Sequence, residues 1–302
     1  MKNYCLLGLY RLTTGLIRFL PRRLVLSKGK FLGLLGYLIF KSHRRLAWRN
    51  LELAFGGELE EKEKKRIARS AFVHFGQMIF DTIKFTQLRE DKRTSLLHLI
   101  GKENLEKAKA LGRGILLFSA HLGNWEIASW PVASLVPLHV VARPLDNLVL
   151  EKELVRLRQK LGVKVISKFQ AARPILRALQ ANEAVAILID QNVLRREAVF
   201  VDFFGHLAAT TPVVAAFHLR TGAPIVPVFC LMTQERKYQI KIYEPLSFVF
   251  DSLSEPEPLL QITQVLTKII EQEIRQTPDQ WLWFHDRWRT RPENENLLRV
   301  ED

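Results

Sequence analysis

The sequence predicts an α/β protein: a mostly parallel central sheet flanked by helices, preceded by an N-terminal amphipathic helical segment that associates with membranes. Three observations carry this reading. Short apolar runs alternate with helix-length amphipathic runs from about residue 102 onward. Glycines punctuate those runs at Gly112, Gly162 and Gly222. The first 50 residues hold eleven Lys and Arg and no Asp or Glu.

The elements run in order along the chain. Residues 58–85 read as a long amphipathic helix, and Glu58, Glu60, Glu61 and Glu63 at its start suit the positive end of a helix dipole. Residues 103–111 form a short helix closed by Gly112, and 114–120 (GILLFSA) a buried strand. Strands at 138–142, 163–166 and 184–189 alternate with helices at 148–161 and 171–181. A helix over 211–220, strands over 225–231 and 238–243 and a closing helix over 258–276 complete the chain. Such alternation means a sheet covered on both faces, with functional residues in loops at the C-terminal strand ends.

The 302 residues are 48% hydrophobic and 25% charged, an ordinary globular balance. We divide them into a basic amphipathic segment, 1–45, and a domain carrying the chemistry, 46–302. Two cysteines, Cys5 and Cys230, exclude a disulfide framework and any CxxC site, and suit a reducing compartment. Most of the net charge of +14 lies in the first 50 residues, and that field selects an anionic partner: nucleic acid or an anionic membrane. Leu6, Leu9, Tyr10, Thr13, Ile17 and Leu20 recur at helical spacing, and a second apolar stretch covers 31–40. Neither reaches the roughly 18–20 uninterrupted apolar residues of a spanning helix. Arg11 within the first stretch, and the lack of an A-x-A-like site, argue against a signal peptide. A cationic helix lying in the membrane interface fits, the alternative being a core-facing helix that is basic.

No GxSxG elbow, P-loop, GxGxxG or HExxH occurs, which weakens serine-hydrolase, NTPase, dinucleotide and zinc chemistry. No metal and no diffusible cofactor is expected. The strongest local feature is His121-Leu122-Gly123-Asn124-Trp125-Glu126, directly after the strand at 114–120. Asn124 suits a helix N-cap and Gly123 a turn, so Glu126 can fold back toward His121. Such a pair makes a general base, the carboxylate orienting the imidazole; otherwise it is a strand-end histidine beside a solvated glutamate. Asp190 comes directly after the strand at 184–189 and falls at the same sheet edge.

HLGNWE, preceded by GRGILLFSA, resembles the bacterial lipid A late acyltransferases, a branch of the glycerolipid-acyltransferase-like families with His-x4-Asp/Glu. The likeness runs in order through Arg44-Arg45, Arg49-Asn50-Leu51, Arg143-Pro144-Leu145-Asp146-Asn147, Arg156-Leu157-Arg158, Asp190-Gln191-Asn192, Phe203-Phe204-Gly205, Thr210-Thr211-Pro212 and 281–289. It implies a catalytic dyad of His121 and Glu126 acting on a lipid hydroxyl and an acyl thioester. It also implies Arg143, Asn147, Arg158 and Asp190 as substrate-binding residues, with Arg143 and Arg158 serving the oxyanion or phosphates. The cluster 281–288 reads two ways: as core, with Arg287 and Arg289 at the surface, which we favour, or as a site feature in which His285 and Arg287 contact an anionic head group. Glu126 in place of Asp, and the lack of a Phe-Pro-Glu-Gly-Thr block, argue against the glycerol-3-phosphate branch. The implied partners are acyl carrier protein or acyl-coenzyme A as donor, a lipid A precursor or similar glycolipid as acceptor, and the cytoplasmic face of the inner membrane. Other classes remain: acylation of a mannosylated phosphoinositide or a glycerolipid, a non-catalytic membrane scaffold, or a nucleic-acid binder. No RRM, KH, helix-turn-helix or zinc pattern supports the last.

Overall fold

The computed structural model describes residues 2–248 and 257–292, apart from the side chains of residues 2–6 and 9. Four helices open the chain: α1 (Lys2–Phe19), α2 (Arg22–Ile39), α3 (Lys41–Phe55) and α4 (Glu61–Gln87). Pro21 sits between the first two with φ −56° and ψ 142°, an extended corner that proline favours and that stops α1. A short α5 (Glu90–Thr94) leads to β1 (Leu97–Ile100) and α6 (Lys102–Ala110). Then come β2 (Ile115–Ser119), α7 (Trp125–Leu135), β3 (Leu138–Ala142), α8 (Leu148–Lys160), β4 (Val163–Ser167), α9 (Ala172–Gln180) and β5 (Ala184–Leu188). The chain continues through β6 (Val199–Phe203), β7 (His206–Thr210), α10 (Val213–Thr221), β8 (Ile225–Met232), β9 (Tyr238–Ile242) and α11 (Glu257–Gln276).

Seven strands form one sheet in the order β1-β9-β8-β2-β5-β3-β4. Every neighbouring pair is parallel except β8–β9, which a short turn at 233–237 folds into a hairpin. The expected sheet and its helical cover are therefore present. Two features were not read from the sequence. β1 adds an edge strand whose residues are only half-buried or exposed, so its apolar signal is weak. β6 and β7 form a separate antiparallel ribbon, closed by Phe204 and Gly205 at φ +57° and +77°. Adjacent positive φ values are the signature of a tight hairpin turn.

Alternation along β2 builds the core. Leu116 and Phe118 pack on one side with α3, α10 and α11, while Ile115 and Leu117 pack on the other with α6 and α7. The C-terminal end of β2, which leads into His121, thus lies at the middle of the sheet, between two apolar layers.

α2 lies against α4 at close range through glycines. A Cβ on Gly33 would sit 2.3 Å from the Phe72 carbonyl oxygen, and one on Gly76 would sit 2.3 Å from that of Gly29. The first helix turns its expected apolar face inward. Ile17 is buried and Tyr10, Thr13 and Leu20 are half-buried, while Leu6 and Leu9 lie outside the described side chains. The reason is tertiary: Lys84 of α4 donates to the carbonyls of Ile17 and Arg18 at the end of α1. The outward side is also apolar, with Leu12, Leu16 and Phe19 exposed, Phe19 to 83%. Leu24, Phe31, Leu35, Leu38 and Ile39 of α2 continue that surface. Among the described residues no helix is long and apolar enough to cross a membrane.

The glycine contact sets an expected outcome. Gly33→Val forces α2 off α4 and should destabilise the protein by about 1–3 kcal/mol. Gly15→Ala, in α1 with nothing within 4 Å of its added methyl, should instead stabilise it by roughly 0.5–1 kcal/mol. Thermal unfolding followed by circular dichroism reads both, the two shifts having opposite sign.

Candidate functional site

The loop after β2 is clamped on its backbone before any side chain is considered. The Gly123 N–H donates to Gln280 O (3.0 Å), Asn124 N–H to Cys230 O (2.8 Å), and Leu282 N–H to His121 O (3.1 Å). His74 of α4 donates from Nε2 to Gly123 O at 3.0 Å. Gly123 has φ +65°, and a Cβ there would lie 1.9 Å from Cys230 O, so the position needs glycine. The expected N-cap is present: Asn124 Oδ1 accepts from Ile127 N–H at 3.1 Å and starts α7.

His121 meets Asp190 twice. Its backbone N–H donates to Asp190 Oδ2 at 2.8 Å, and its ring Nδ1 lies 2.8 Å from Oδ1. Trp281 donates its indole N–H to the same Oδ2, also at 2.8 Å. Burial pushes the Asp190 carboxyl up, but the facing imidazole and these donors outweigh it and hold it down at about 2. A carboxylate on Nδ1 selects the tautomer with its proton there, which leaves the Nε2 lone pair free to accept. Gln191 Nε2 stands 3.2 Å from that nitrogen, and Trp125 packs edge-on to the ring at 4.9 Å.

Glu126 sits in the first turn of α7 and is held by Arg158 of α8, with Nε to Oε2 at 3.1 Å and Nη2 to Oε1 at 2.6 Å. Burial lowers the Arg158 pKa, and its bonds to Glu126 more than offset this, so the net shift is upward. The expected contact from Glu126 to the imidazole is thus replaced: Asp190 holds Nδ1 and Arg158 holds Glu126. The cause is sheet order, because β5 lies beside β2 and delivers Asp190 laterally. Arg143 is exposed on the rim and reaches Asp146 at 3.1 Å. Asn147 caps α8, accepting from Val149 and Leu150 N–H at 3.0 and 3.2 Å.

The C-terminal strap is both core and site. Trp281, Trp283 and Trp288 are buried, as expected, yet Trp281 also touches Asp190. Arg287 corrects the expectation of a surface position: it is fully buried, donating to Ala209 O at 2.7 Å and Thr210 Oγ1 at 2.5 Å, and stacked 5.1 Å over Phe203. Burial pulls its pKa down to about 10. Arg289 is exposed, as expected. Buried Asn50 of α3 donates to Trp283 O and His285 O (2.7 and 2.6 Å), and His285 Nε2 accepts from Asn192 N–H at 2.9 Å. Trp281 and Gln191 were not assigned to the site from sequence, and His285 only in the second reading of its cluster. The signal for them was their place in the blocks 190–192 and 281–289.

Next to the histidine, an apolar cavity of about 80 Å³ runs between α7 and the sheet. Leu117, Val132, Val140 and Ala186 line it, and Trp125, Glu126 and Arg158 line it too. Trp125 thus touches both the cavity and the imidazole. Among the described residues no cluster of His, Cys, Asp or Glu is grouped to hold a metal ion. The arrangement brings an oriented imidazole, a half-buried ion pair and an apolar pocket together at one sheet edge.

Comparison with known proteins adds an independent finding. A family model described as bacterial lipid A biosynthesis acyltransferase matches residues 1–290. The chain is similar to the lipid A biosynthesis palmitoleoyltransferase of Escherichia coli (strain K12), 27% identical over 93% of this chain and 90% of that protein. It is similar to the lipid A biosynthesis lauroyltransferase of the same organism, 28% identical over 91% of this chain and 88% of that protein. It is also similar to the phosphatidylinositol mannoside acyltransferase of Mycolicibacterium smegmatis, 24% identical over 78% and 76%.

The Asp190 geometry has a pH signature. Its folded pKa of about 2 lies below the ordinary 3.8, so it adds stability above roughly pH 4 that is lost as pH falls toward 2. The shift is worth about 2 kcal/mol. Asp190→Asn should therefore lower stability by about that amount at neutral pH, with the gap to wild type closing between pH 4 and 2. Urea unfolding across that range measures it.

Proposed function

The chain belongs to the bacterial lipid A biosynthesis acyltransferase family, and on that footing we propose that it transfers a fatty acyl chain from an acyl thioester to a hydroxyl of a lipid A precursor. The observation that carries this reading is an imidazole fixed by a buried carboxylate, packed on Trp125, which lines an apolar cavity. In the proposed step, His121 Nε2 takes the proton of the acceptor hydroxyl. The oxygen attacks the thioester carbonyl carbon and forms the new C–O bond. The tetrahedral intermediate collapses with cleavage of the C–S bond, and the imidazolium returns the proton to the leaving thiolate. Asp190 fixes the tautomer and faces the imidazolium with its charge.

His121 and Glu126 form the catalytic pair of this proposal, with Glu126 acting through Arg158. The carboxylate fixes a half-buried guanidinium at the wall of the cavity, where a cation stabilises the oxyanion. The apolar cavity receives a short stretch of the acyl chain. Arg143 on the rim contacts donor or acceptor phosphates, and Asn147 sets the start of α8 beside it. Acyl carrier protein is the proposed donor, since an acidic carrier complements a chain of net charge +14, and acyl-coenzyme A is the alternative. Residues 1–45 rest on the cytoplasmic face of the inner membrane through the exposed apolar side of α1 and α2, interleaved with arginine and lysine. The similarity to the mannoside acyltransferase supports one second reading, a mannosylated phosphoinositide as acceptor.

Two experiments test this. With acyl-loaded carrier protein and a tetra-acylated lipid A precursor, mass spectrometry should record the gain of one acyl chain. His121→Ala should lower the rate by about 10²–10⁴ while the protein stays folded, and Glu126→Ala should be nearly as severe. Full activity of His121→Ala overturns the base assignment. In vesicle sedimentation, Leu16→Ser with Phe19→Ser should weaken binding to phosphatidylglycerol membranes by about tenfold or more. Unchanged sedimentation overturns the membrane surface.

A further inference from the structure

A second set of buried polar groups reaches the reactive loop from the opposite side to Asp190, and the proton transfer at His121 does not use it. It begins at Arg22, the first residue of α2 at the Pro21 corner. Its guanidinium grips Asp81 of α4 with two bonds, Nε to Oδ1 at 2.8 Å and Nη2 to Oδ2 at 2.5 Å, and donates a third to Arg236 O. Asp81 Oδ2 also accepts the hydroxyl proton of Tyr238 from β9 at 2.6 Å. The Tyr238 oxygen in turn accepts from Asn124 Nδ2 at 3.2 Å. The other end of that amide, Oδ1, accepts from Ile127 N–H and from Thr82 Oγ1, both at 3.1 Å. Asp81, Asn124 and Tyr238 are all fully buried.

The direction of each bond is set by the one before it. Arg22 presents N–H donors to both oxygens of Asp81, so both accept. Tyr238 must then spend its one proton on Asp81, so its oxygen can only accept from Asn124. Asn124 must present its NH2 there, which forces its carbonyl toward Ile127 N–H. A side-chain amide flipped the other way would aim NH2 at an N–H donor and lose the cap. The charge at the α1–α2 corner therefore sets which way round the cap of α7 sits. That cap lies between His121 and Glu126.

We propose that Arg22, Asp81 and Tyr238 are positioning residues for the acyl-transfer step: their one-way chain of hydrogen bonds fixes the Asn124 amide, and with it the loop of His121 and the first turn of Glu126. The backbone clamps at Gly123 place the turn, and this chain of bonds orients the start of α7. The corner that begins the chain is flanked by exposed Phe19 and Leu24, so the surface formed by the first two helices and the reactive loop share one line of bonds. The inference rests on the acyl-transfer reading for its kinetic half only.

The test uses Tyr238→Phe, which removes one hydroxyl and keeps the ring in the core, and Arg22→Lys, which keeps the charge and loses the fork. Asp81→Asn is the harsher control. Hydrogen exchange read by mass spectrometry needs no substrate. Peptides spanning 121–128 should exchange faster in both variants, while those of β3 and β4 are unchanged. In the transfer assay kcat should fall by about tenfold or more, with KM within about twofold. The double variant should cost little beyond either single one, because the chain acts as a unit. Exchange at 121–128 equal to wild type overturns the proposal. So does a lowered melting temperature with kcat intact, or additive losses in kcat. A fully active His121→Ala would fault the base assignment and leave the exchange result to decide the positioning claim.

Discussion

Asp190 is the buried carboxylate around which the C-terminal edge of the sheet is organised. Its donors come from separate parts of the chain: the backbone and ring of His121 after β2, and the indole of Trp281 in the C-terminal strap. A carboxylate without partners in so dry a place would cost several kcal/mol, and a fully bonded one rigidifies its surroundings. The bond set is complete only if β5 lies next to β2 and the strap crosses both. Asn50 of α3, gripping two strap carbonyls, and Arg287, buried against the β6–β7 ribbon, hold the strap there.

α4 is the second organiser, and it works along its length. Gly76 admits α2 at backbone contact, and His74 holds the carbonyl of Gly123. Farther along, Asp81 takes Arg22 and Tyr238, Thr82 takes Asn124, and Lys84 closes the end of α1. One helix therefore carries both the N-terminal helices and the loop that follows β2. This explains why a segment with so many exposed apolar side chains is nonetheless tightly docked. α1 and α2 spend their small or inward residues on α4 and leave Leu12, Leu16, Phe19 and Phe31 outside.

The Glu126–Arg158 pair gains strength from its setting. It lines an apolar cavity, where the local dielectric is low and a bidentate bond is worth more than on a surface. An arginine whose charge is already satisfied by a fixed carboxylate is also held in one place. Reorganisation is then small when charge develops nearby.

The residue order was enough for the alternation of strands and helices from β2 to β5 and for β8 and β9, and it placed β3 at its observed ends and those other strands within a residue. It was enough for the turn at Gly123, the cap at Asn124, the family likeness carried by HLGNWE, and the location of His121 and Asp190 at strand ends. These are local properties: periodicity, a positive φ, a short polar side chain at a helix start. What the chain order left open was which groups meet. Asp190 rather than Glu126 faces the imidazole because β5 neighbours β2, and strand neighbours are settled by how helices pack on the sheet. The β6–β7 ribbon, buried Arg287 and the inward turn of α1 are likewise outcomes of packing between residues far apart in sequence. A residue's type and spacing give its chemistry, and burial and partners decide to whom that chemistry is addressed.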